Sequence, residues 1–263
     1  MKKFALFLCC VSFIACTKEN SDNGCNDPSL IRQIKLNNYD IQKITYNKGC
    51  QVTESVEPLR FNNYIYNNLN QLTKIEEKVS FSSLSCYMPT GLNGETFTDP
   101  RKAKVTSYIS IEYNADGSIS EKSLYYNNSD TYKQISYELY KYLNSKVVKI
   151  EKYDNNNNLV DYKTYDYDEQ GNVLSENYYL QTIDGAILKM SSSYQYDNKL
   201  NPFRIFSFDG TPGLHTNLNN IVSEKRITYN KENKLEYTTS YTLEYNDLGY
   251  PSKVNDKNYI YGN

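Results

Sequence analysis

The sequence TYDYDEQGNVLSENYY, residues 164–179, contains the unit that decides the fold. Tyr167-Asp168 is followed by Gly171, four residues after the tyrosine, and by Val173 two residues later. Tyrosine favours a strand, an Asp at the first turn position accepts hydrogen bonds from the backbone ahead of it, and glycine takes the positive φ of a G1 bulge. The aliphatic residue then begins the next strand. The unit therefore predicts a β-hairpin turn, with Asp168 and Gly171 as structural residues.

The same unit recurs along the chain. Further copies begin at Tyr66, Tyr113, Tyr153, Tyr229 and Tyr245. The turn residues predicted from the copies that contain glycine are Asn114, Gly117, Asn246 and Gly249. Between the copies, apolar and polar residues alternate with a period of two, and no long segment shows a helical period. The sequence therefore predicts an all-β fold, an antiparallel meander of repeated β-hairpins.

The first 16 residues, MKKFALFLCCVSFIAC, have the anatomy of a secretory signal, with two lysines before an apolar run too short to span a bilayer. Phe13-Ile14-Ala15-Cys16 resembles the lipobox of bacterial lipoproteins, in which the cysteine carries the lipid. We predict a signal peptide over residues 1–15, a lipidated Cys16 with a flexible tether over residues 16–28, and a single β-repeat domain over residues 29–263. The lipid anchor then holds the protein at the outer membrane, on its periplasmic or its exterior face.

Composition argues against several classes of function. The 263 residues include 29 Lys and Arg and 31 Asp and Glu, for a formal net charge of −2, whereas a nucleic-acid partner requires a basic surface. With one histidine and no CxxC spacing, neither a metal nor another cofactor is predicted. The sequence contains no G-x-S-x-G or HExxH motif, so we do not expect an enzyme.

Three cysteines remain once the signal and the lipid attachment site are set aside, namely Cys25, Cys50 and Cys86. An odd number allows at most one disulfide among them, and an exported compartment permits it to form. Cys50–Cys86 and Cys25–Cys50 both suit neighbouring strands, so the pairing stays open.

Two segments interrupt the rhythm of the hairpins, residues 87–103 and residues 207–220. Both are rich in glycine and proline, and we predict long surface loops. Loops on a rigid β scaffold are good places to look for a binding site.

The Tyr-Asp/Asn…Gly unit resembles the YD repeats of RHS-type proteins. The lipoprotein signal, the hairpins and the late YDNKLNPF at residues 196–203 together resemble a family of Gram-negative lipoproteins of unknown function with a porin-like β fold. That resemblance covers roughly residues 30–263, implies a curved sheet or a partly closed barrel, and carries over no catalytic residue. We expect a non-enzymatic binding module for a glycan, a peptide or an envelope protein; the alternative is a structural or assembly accessory of an outer-membrane complex.

Overall fold

A computed structural model describes residues 25–79, 100–129, 131–230 and 233–262. These residues form 17 antiparallel strands in one sheet and two 3₁₀ helices, Pro100–Lys102 and Pro202–Asp209. The predicted all-β meander is therefore confirmed. The strands are β1 Ile31–Leu36, β2 Tyr39–Tyr46, β3 Val52–Val56, β4 Arg60–Tyr66, β5 Leu72–Val79, β6 Val105–Tyr113, β7 Ile119–Asn128, β8 Thr131–Leu143, β9 Lys146–Asp154, β10 Leu159–Tyr167, β11 Val173–Thr182, β12 Gly185–Leu200, β13 Asn219–Tyr229, β14 Lys234–Ser240, β15 Leu243–Tyr245, β16 Pro251–Val254 and β17 Lys257–Tyr261.

Each strand pairs with the next along the chain from β1 to β14, and again from β15 to β17. The last strand, β17, pairs with β1, where Tyr259 lies opposite Ile34. The chain changes partner between β14 and β15, because β14 pairs with β13 and β15 pairs with β16. Within residues 233–262 no ladder joins β14 to β15. The sheet is thus a single meander that is not closed into a barrel. Since β13 pairs with β14 and β15 pairs with β16, no ladder joins the described residues of β13 to those of β15, and we call the gap between these two strands the seam.

Three of the tyrosines that begin the repeat, Tyr66, Tyr113 and Tyr167, belong to a set of seven that tie neighbouring strands together. Each donates its hydroxyl to a main-chain carbonyl at the beginning of the preceding strand, over 2.6–3.0 Å. Phenylalanine would fit the same space without tying neighbouring strands together. We call this edge of the sheet the tyrosine end, and the tyrosines are Tyr46, Tyr66, Tyr113, Tyr142, Tyr167, Tyr196 and Tyr261.

The turn glycines adopt left-handed backbone angles, with φ of 83° at Gly117, 94° at Gly171 and 80° at Gly249. The side-chain oxygens of Asp168 and Asn246 accept from the backbone N–H four residues ahead, over 2.8 and 3.0 Å. Asn114 behaves differently, because its amide donates to the Ser118 hydroxyl. The carboxylate of Asp116 accepts the Ser118 N–H instead, over 2.9 Å. The same turn is therefore stabilised by a different side chain.

A further copy of the unit begins at Tyr46, where sequence analysis did not find one. Cys50 stands four residues later with φ 62°, in the position that other copies give to glycine or asparagine. The structure joins Cys50 to Cys25, one of the two pairings that the sequence left open. Cys25 is only 5% exposed, so the folded domain includes a residue of the stretch where a tether was expected. Cys16 and Cys86 lie outside the described residues.

Residues 201–218, which we call the inner segment, correct the prediction of a surface loop over residues 207–220. Phe206 is 5% exposed, and the ring of Phe208 packs edge-on against Tyr64 of β4 with 5.5 Å between centroids. Phe203 packs in the same manner on Tyr259 of β17. Strands that are far apart in the sheet therefore curve around one segment.

Composition misled the prediction because the glycines and prolines of this segment shape turns that are themselves buried. The side-chain oxygen of Asn217 accepts the backbone N–H of Val173 over 2.8 Å, and its residue is fully buried. A Cβ at Gly210 would come within 2.5 Å of Ile119, so glycine permits close contact with β7. Of the other predicted loop, residues 87–103, only residues 100–103 are described. In the described part of the chain, no helix is long and apolar enough to span a membrane.

Candidate functional site

Four charged residues form a row across the inner face of the curved sheet. Opposite residues on antiparallel strands share a face, and here Lys122 lies opposite Glu138, Glu138 opposite Lys152, and Lys152 opposite Asp161. The row points inward because Tyr140 on β8, two residues from Glu138, belongs to the buried cluster that packs on the inner segment. We call the set the inner charged row: Lys122, Glu138, Lys152 and Asp161.

The same inner face carries two further ion pairs outside the row. Lys163 of β10 pairs with Glu176 of β11 over 3.0 Å, and Arg226 of β13 pairs with Glu224 over 2.6 Å. Burial raises the pKa of Asp161, while the charges of Lys152 and Lys163 oppose that shift. The inner face is therefore strongly polar but balanced in charge, with donors and acceptors about 4.8 Å apart across the strands.

Tyr165 places an unpartnered hydroxyl at this face. The residue is 3% exposed, and within the described ranges its Oη has no hydrogen-bond partner. Burial raises the pKa of the phenol, and the nearby charges of Glu176 and Glu138 raise it further. A buried O–H group without an acceptor costs about 1–3 kcal/mol, so this hydroxyl is an unsatisfied polar group within the packed part of the inner face.

The inner segment is clamped at the end of the row by a second polar group. The Asp209 carboxylate lies 2.9 Å from Nδ1 of His215 and accepts the Thr211 N–H over 2.6 Å. Lys122 donates to the Thr211 hydroxyl over 3.1 Å, and its Nζ lies 4.0 Å from Asp209. Burial lowers the pKa of Lys122. Burial also disfavours the Asp209 anion, but the His215 hydrogen bond and the Lys122 charge outweigh it and hold the pKa of Asp209 below its usual value.

Two cavities flank the inner segment. The first, of about 510 Å³ and here called the tyrosine-end pocket, lies between that segment and four turns: β4–β5, β6–β7, β8–β9 and β10–β11. The second, of about 540 Å³, lies at the seam, where Phe203 and Leu214 face Ile221 and Leu243. Tyr245 bridges the seam by hydrogen bonding to the carboxylate of Asp197.

Sequence reasoning located the turns but not these sites. Gly117 and Gly171 line the tyrosine-end pocket, whereas none of the predicted turn residues belongs to the inner charged row. The row was missed because its members lie on four strands, and which of them face one another depends on the strand register. The alternation of charge at inward positions was the available signal, but it becomes visible only after the strands are paired.

No family model matches the sequence, and no curated protein is similar to it. Among solved structures, a porin-like protein from Bacteroides vulgatus has a TM-score of 0.50 and 9% identity, over 88% of this chain and 93% of its own. A porin-like protein from Bacteroides uniformis covers 90% of this chain and 99% of its own, with 16% identity and a TM-score of 0.39. A DUF3836 family protein from Parabacteroides distasonis covers 50% of this chain and 91% of its own, with 10% identity and a TM-score of 0.22. Of these three, the Bacteroides vulgatus protein alone reaches a TM-score of 0.50, and at 9% identity that likeness shows a shared porin-like fold and no more.

Proposed function

We propose that this protein is a non-enzymatic binding module of the cell envelope and that it holds a glycan on the inner charged row. The supporting observation is the alternation of carboxylate and cation along Glu138, Lys152 and Asp161, the three members of the row that are only half-buried. Sugar hydroxyls both donate and accept hydrogen bonds, so ammonium and carboxylate groups in alternation can serve neighbouring hydroxyls. Tyr178 of β11, half-buried and opposite Lys163, adds a flat apolar surface with a polar tip beside the row. The balance of charge favours a neutral glycan over a polyanion.

The proposal includes attachment to the outer membrane through a lipid on Cys16, after removal of residues 1–15. The basic and apolar anatomy of the first 16 residues supports it, as does the porin-like fold shared with a Bacteroides protein. Two or more acyl chains would give a stable anchor. Cys16→Ala should therefore move the protein from carbonate-washed membranes to the soluble fraction, and retention in the membranes would contradict the lipid anchor.

Binding is tested with the full mature chain on an array of envelope, host and plant glycans. Replacing Glu138 by Gln and Lys152 by Met removes two members of the row with little change in shape. The matched control replaces Lys149 by Met and Glu151 by Gln, a pair on the same strand that is joined over 2.7 Å and faces outward. We expect at least tenfold weaker binding in the inner variant and unchanged binding in the outer one. Equal losses in both variants, or no glycan bound by the wild type, would refute the proposal.

A peptide or an envelope protein is the alternative partner, and one observation favours it. All seven residues of β14 are exposed, and in residues 233–262 the edge of β14 that faces away from β13 pairs with no strand. Such an edge can accept a strand from another chain. A photo-crosslinking residue at Tyr237 should then capture a stoichiometric membrane protein in cells, and the same residue at Tyr39 on β2 serves as the control.

A further inference from the structure

We infer that the tyrosine-end pocket is a second binding site, for a small organic molecule that carries one carboxylate on an apolar body. The site is independent of glycan binding, because none of its lining residues belongs to the inner charged row. Its volume of about 510 Å³ is within the range of small-molecule pockets, about 300–1,000 Å³.

A single cation sets the charge of this pocket. Lys146, the first residue of β9, is the one Lys, Arg, His, Asp or Glu among the described residues that line the pocket. Its Nζ lies 5.0 Å from the centroid of the Tyr167 ring. Among the described residues Lys146 forms no ion pair, in contrast to Lys149 and Lys163, which pair with Glu151 and Glu176. The pocket therefore offers an ammonium group to an incoming anion.

The carboxylates that adjoin lining residues of this pocket in the chain are already occupied. Asp209, between Phe208 and Gly210, accepts the Thr211 N–H, lies 2.9 Å from Nδ1 of His215, and does not itself line the pocket. The other two are held by their own turns. Asp116, which lines a smaller adjoining cavity, accepts the N–H and the hydroxyl of Ser118 over 2.9 and 2.6 Å. Asp168 accepts the backbone N–H and the side-chain amide of Asn172 over 2.8 and 2.9 Å. Neither carboxylate lines the tyrosine-end pocket itself. The Lys146 ammonium group therefore suits a ligand that carries one anionic group.

The remaining walls suit an apolar body. Ile119, Phe208 and Pro212 provide aliphatic and aromatic surface. The hydroxyls of Tyr142 and Tyr167 donate to backbone carbonyls over 3.0 and 2.7 Å, so a ligand meets their rings rather than their phenol groups. An anion beside Lys146 with an unsaturated or aliphatic body against these walls would use both features.

The test compares acids with amides of the same shape on the full mature chain. The probes are benzoate, cinnamate and octanoate, each paired with its amide, and binding is followed by saturation-transfer NMR and titration calorimetry at pH 7. We expect at least one acid to bind at least tenfold more tightly than its amide. This comparison uses the wild-type chain alone. Equal binding within every acid–amide pair, or no binding of any acid, would overturn the inference.

Substitutions then locate the charge. Lys146→Met should weaken binding of the preferred acid at least tenfold, and Lys146→Arg should retain it. Lys141→Met is the matched control, because Lys141 is an exposed lysine of the adjacent strand β8 that does not line the pocket. Unchanged binding in Lys146→Met, or an equal loss in Lys141→Met, would overturn the assignment. Glycan binding at the inner charged row should be the same in all three variants, so the two sites fail or succeed separately.

Discussion

The same strands have an apolar inner face near the tyrosine end and a charged inner face a few residues further along. On β9, Ile150 is 6% exposed, whereas Lys152 is half-buried in the inner charged row. On β11, Val173 is 1% exposed and Glu176 pairs with Lys163. The inner segment packs against the apolar part of this face, which we call the packed level, and its contacts with the sheet extend as far as Lys122. The charged part beyond it is the open level. On each strand, the inward residues are therefore apolar where the inner segment covers them and charged where it does not.

Alkaline pH should have the largest effect, and it acts on the packed level. Burial raises the pKa of Tyr64, Tyr167, Tyr194 and Tyr259 to about 12, against about 10 in the unfolded chain. Since the folded pKa is the higher one, this stability is complete below pH 10 and is lost as pH rises from 10 to 12. Because four phenols contribute over the same pH range, we expect the combined loss of stability to exceed that of any single substitution below. Urea unfolding at pH 9 and pH 11.5 measures it, and equal midpoints would contradict the expectation.

Phe206→Ala should be the most damaging single substitution considered for the packed level. Phe206 is 5% exposed and belongs to the cluster around Ile31 and Val52, so its loss should cost about 3–5 kcal/mol. Leu235→Ala is the control, because Leu235 on β14 is 44% exposed and should lose less than about 1 kcal/mol. Chemical denaturation gives both values, and similar losses would mean that the inner segment is not part of the core.

Asp209→Ala probes the boundary between the two levels. The change leaves Lys122 buried without its nearest carboxylate and removes the acceptor of Thr211 and His215, which should cost about 1–3 kcal/mol. Adding Lys122→Met removes the buried ammonium, so the double variant should be more stable than the sum of the single changes predicts. Strictly additive losses in a double-mutant cycle would show that the two groups do not interact.

Tyr113→Phe isolates one tie of the tyrosine end. The phenol donates to the Leu72 carbonyl over 2.8 Å, so its removal should cost about 0.5–1.5 kcal/mol. Tyr125→Phe is a useful contrast, because the Tyr125 ring stacks on Tyr108 with 4.6 Å between centroids and keeps that contact without its hydroxyl. Equal losses in the two variants would argue against a special role for the hydroxyl–carbonyl ties.

Lys152→Met should have the smallest effect on stability, less than about 0.5 kcal/mol, since this half-buried side chain retains access to solvent. The thermal midpoint should accordingly stay within a few degrees of the wild-type value. A large loss would indicate that the inner charged row is a structural network rather than a surface kept for a ligand.

The local part of this fold was readable from sequence because each hairpin depends on a few adjacent residues. Asp168 and Gly171 specify their turn through a side-chain acceptor and a positive φ, and both occur where the repeat requires them. The turn at Cys50 was hidden because cysteine is uncommon at positive φ. Lys122 and Thr211 meet across 89 residues, and no local rule pairs them. The hairpin turns could therefore be predicted from sequence, whereas contacts that depend on the register of distant strands could not.

The Cys25–Cys50 disulfide also has a consequence for orientation. It fixes the N-terminal part of the domain to the β2–β3 turn, beside Tyr46 at the tyrosine end. Cys25 is nine residues after Cys16, a distance that an extended chain spans in about 30 Å at most. With a lipid on Cys16, this turn would lie within about 30 Å of the bilayer surface. The tyrosine-end pocket would then belong to the part of the domain nearer to the membrane.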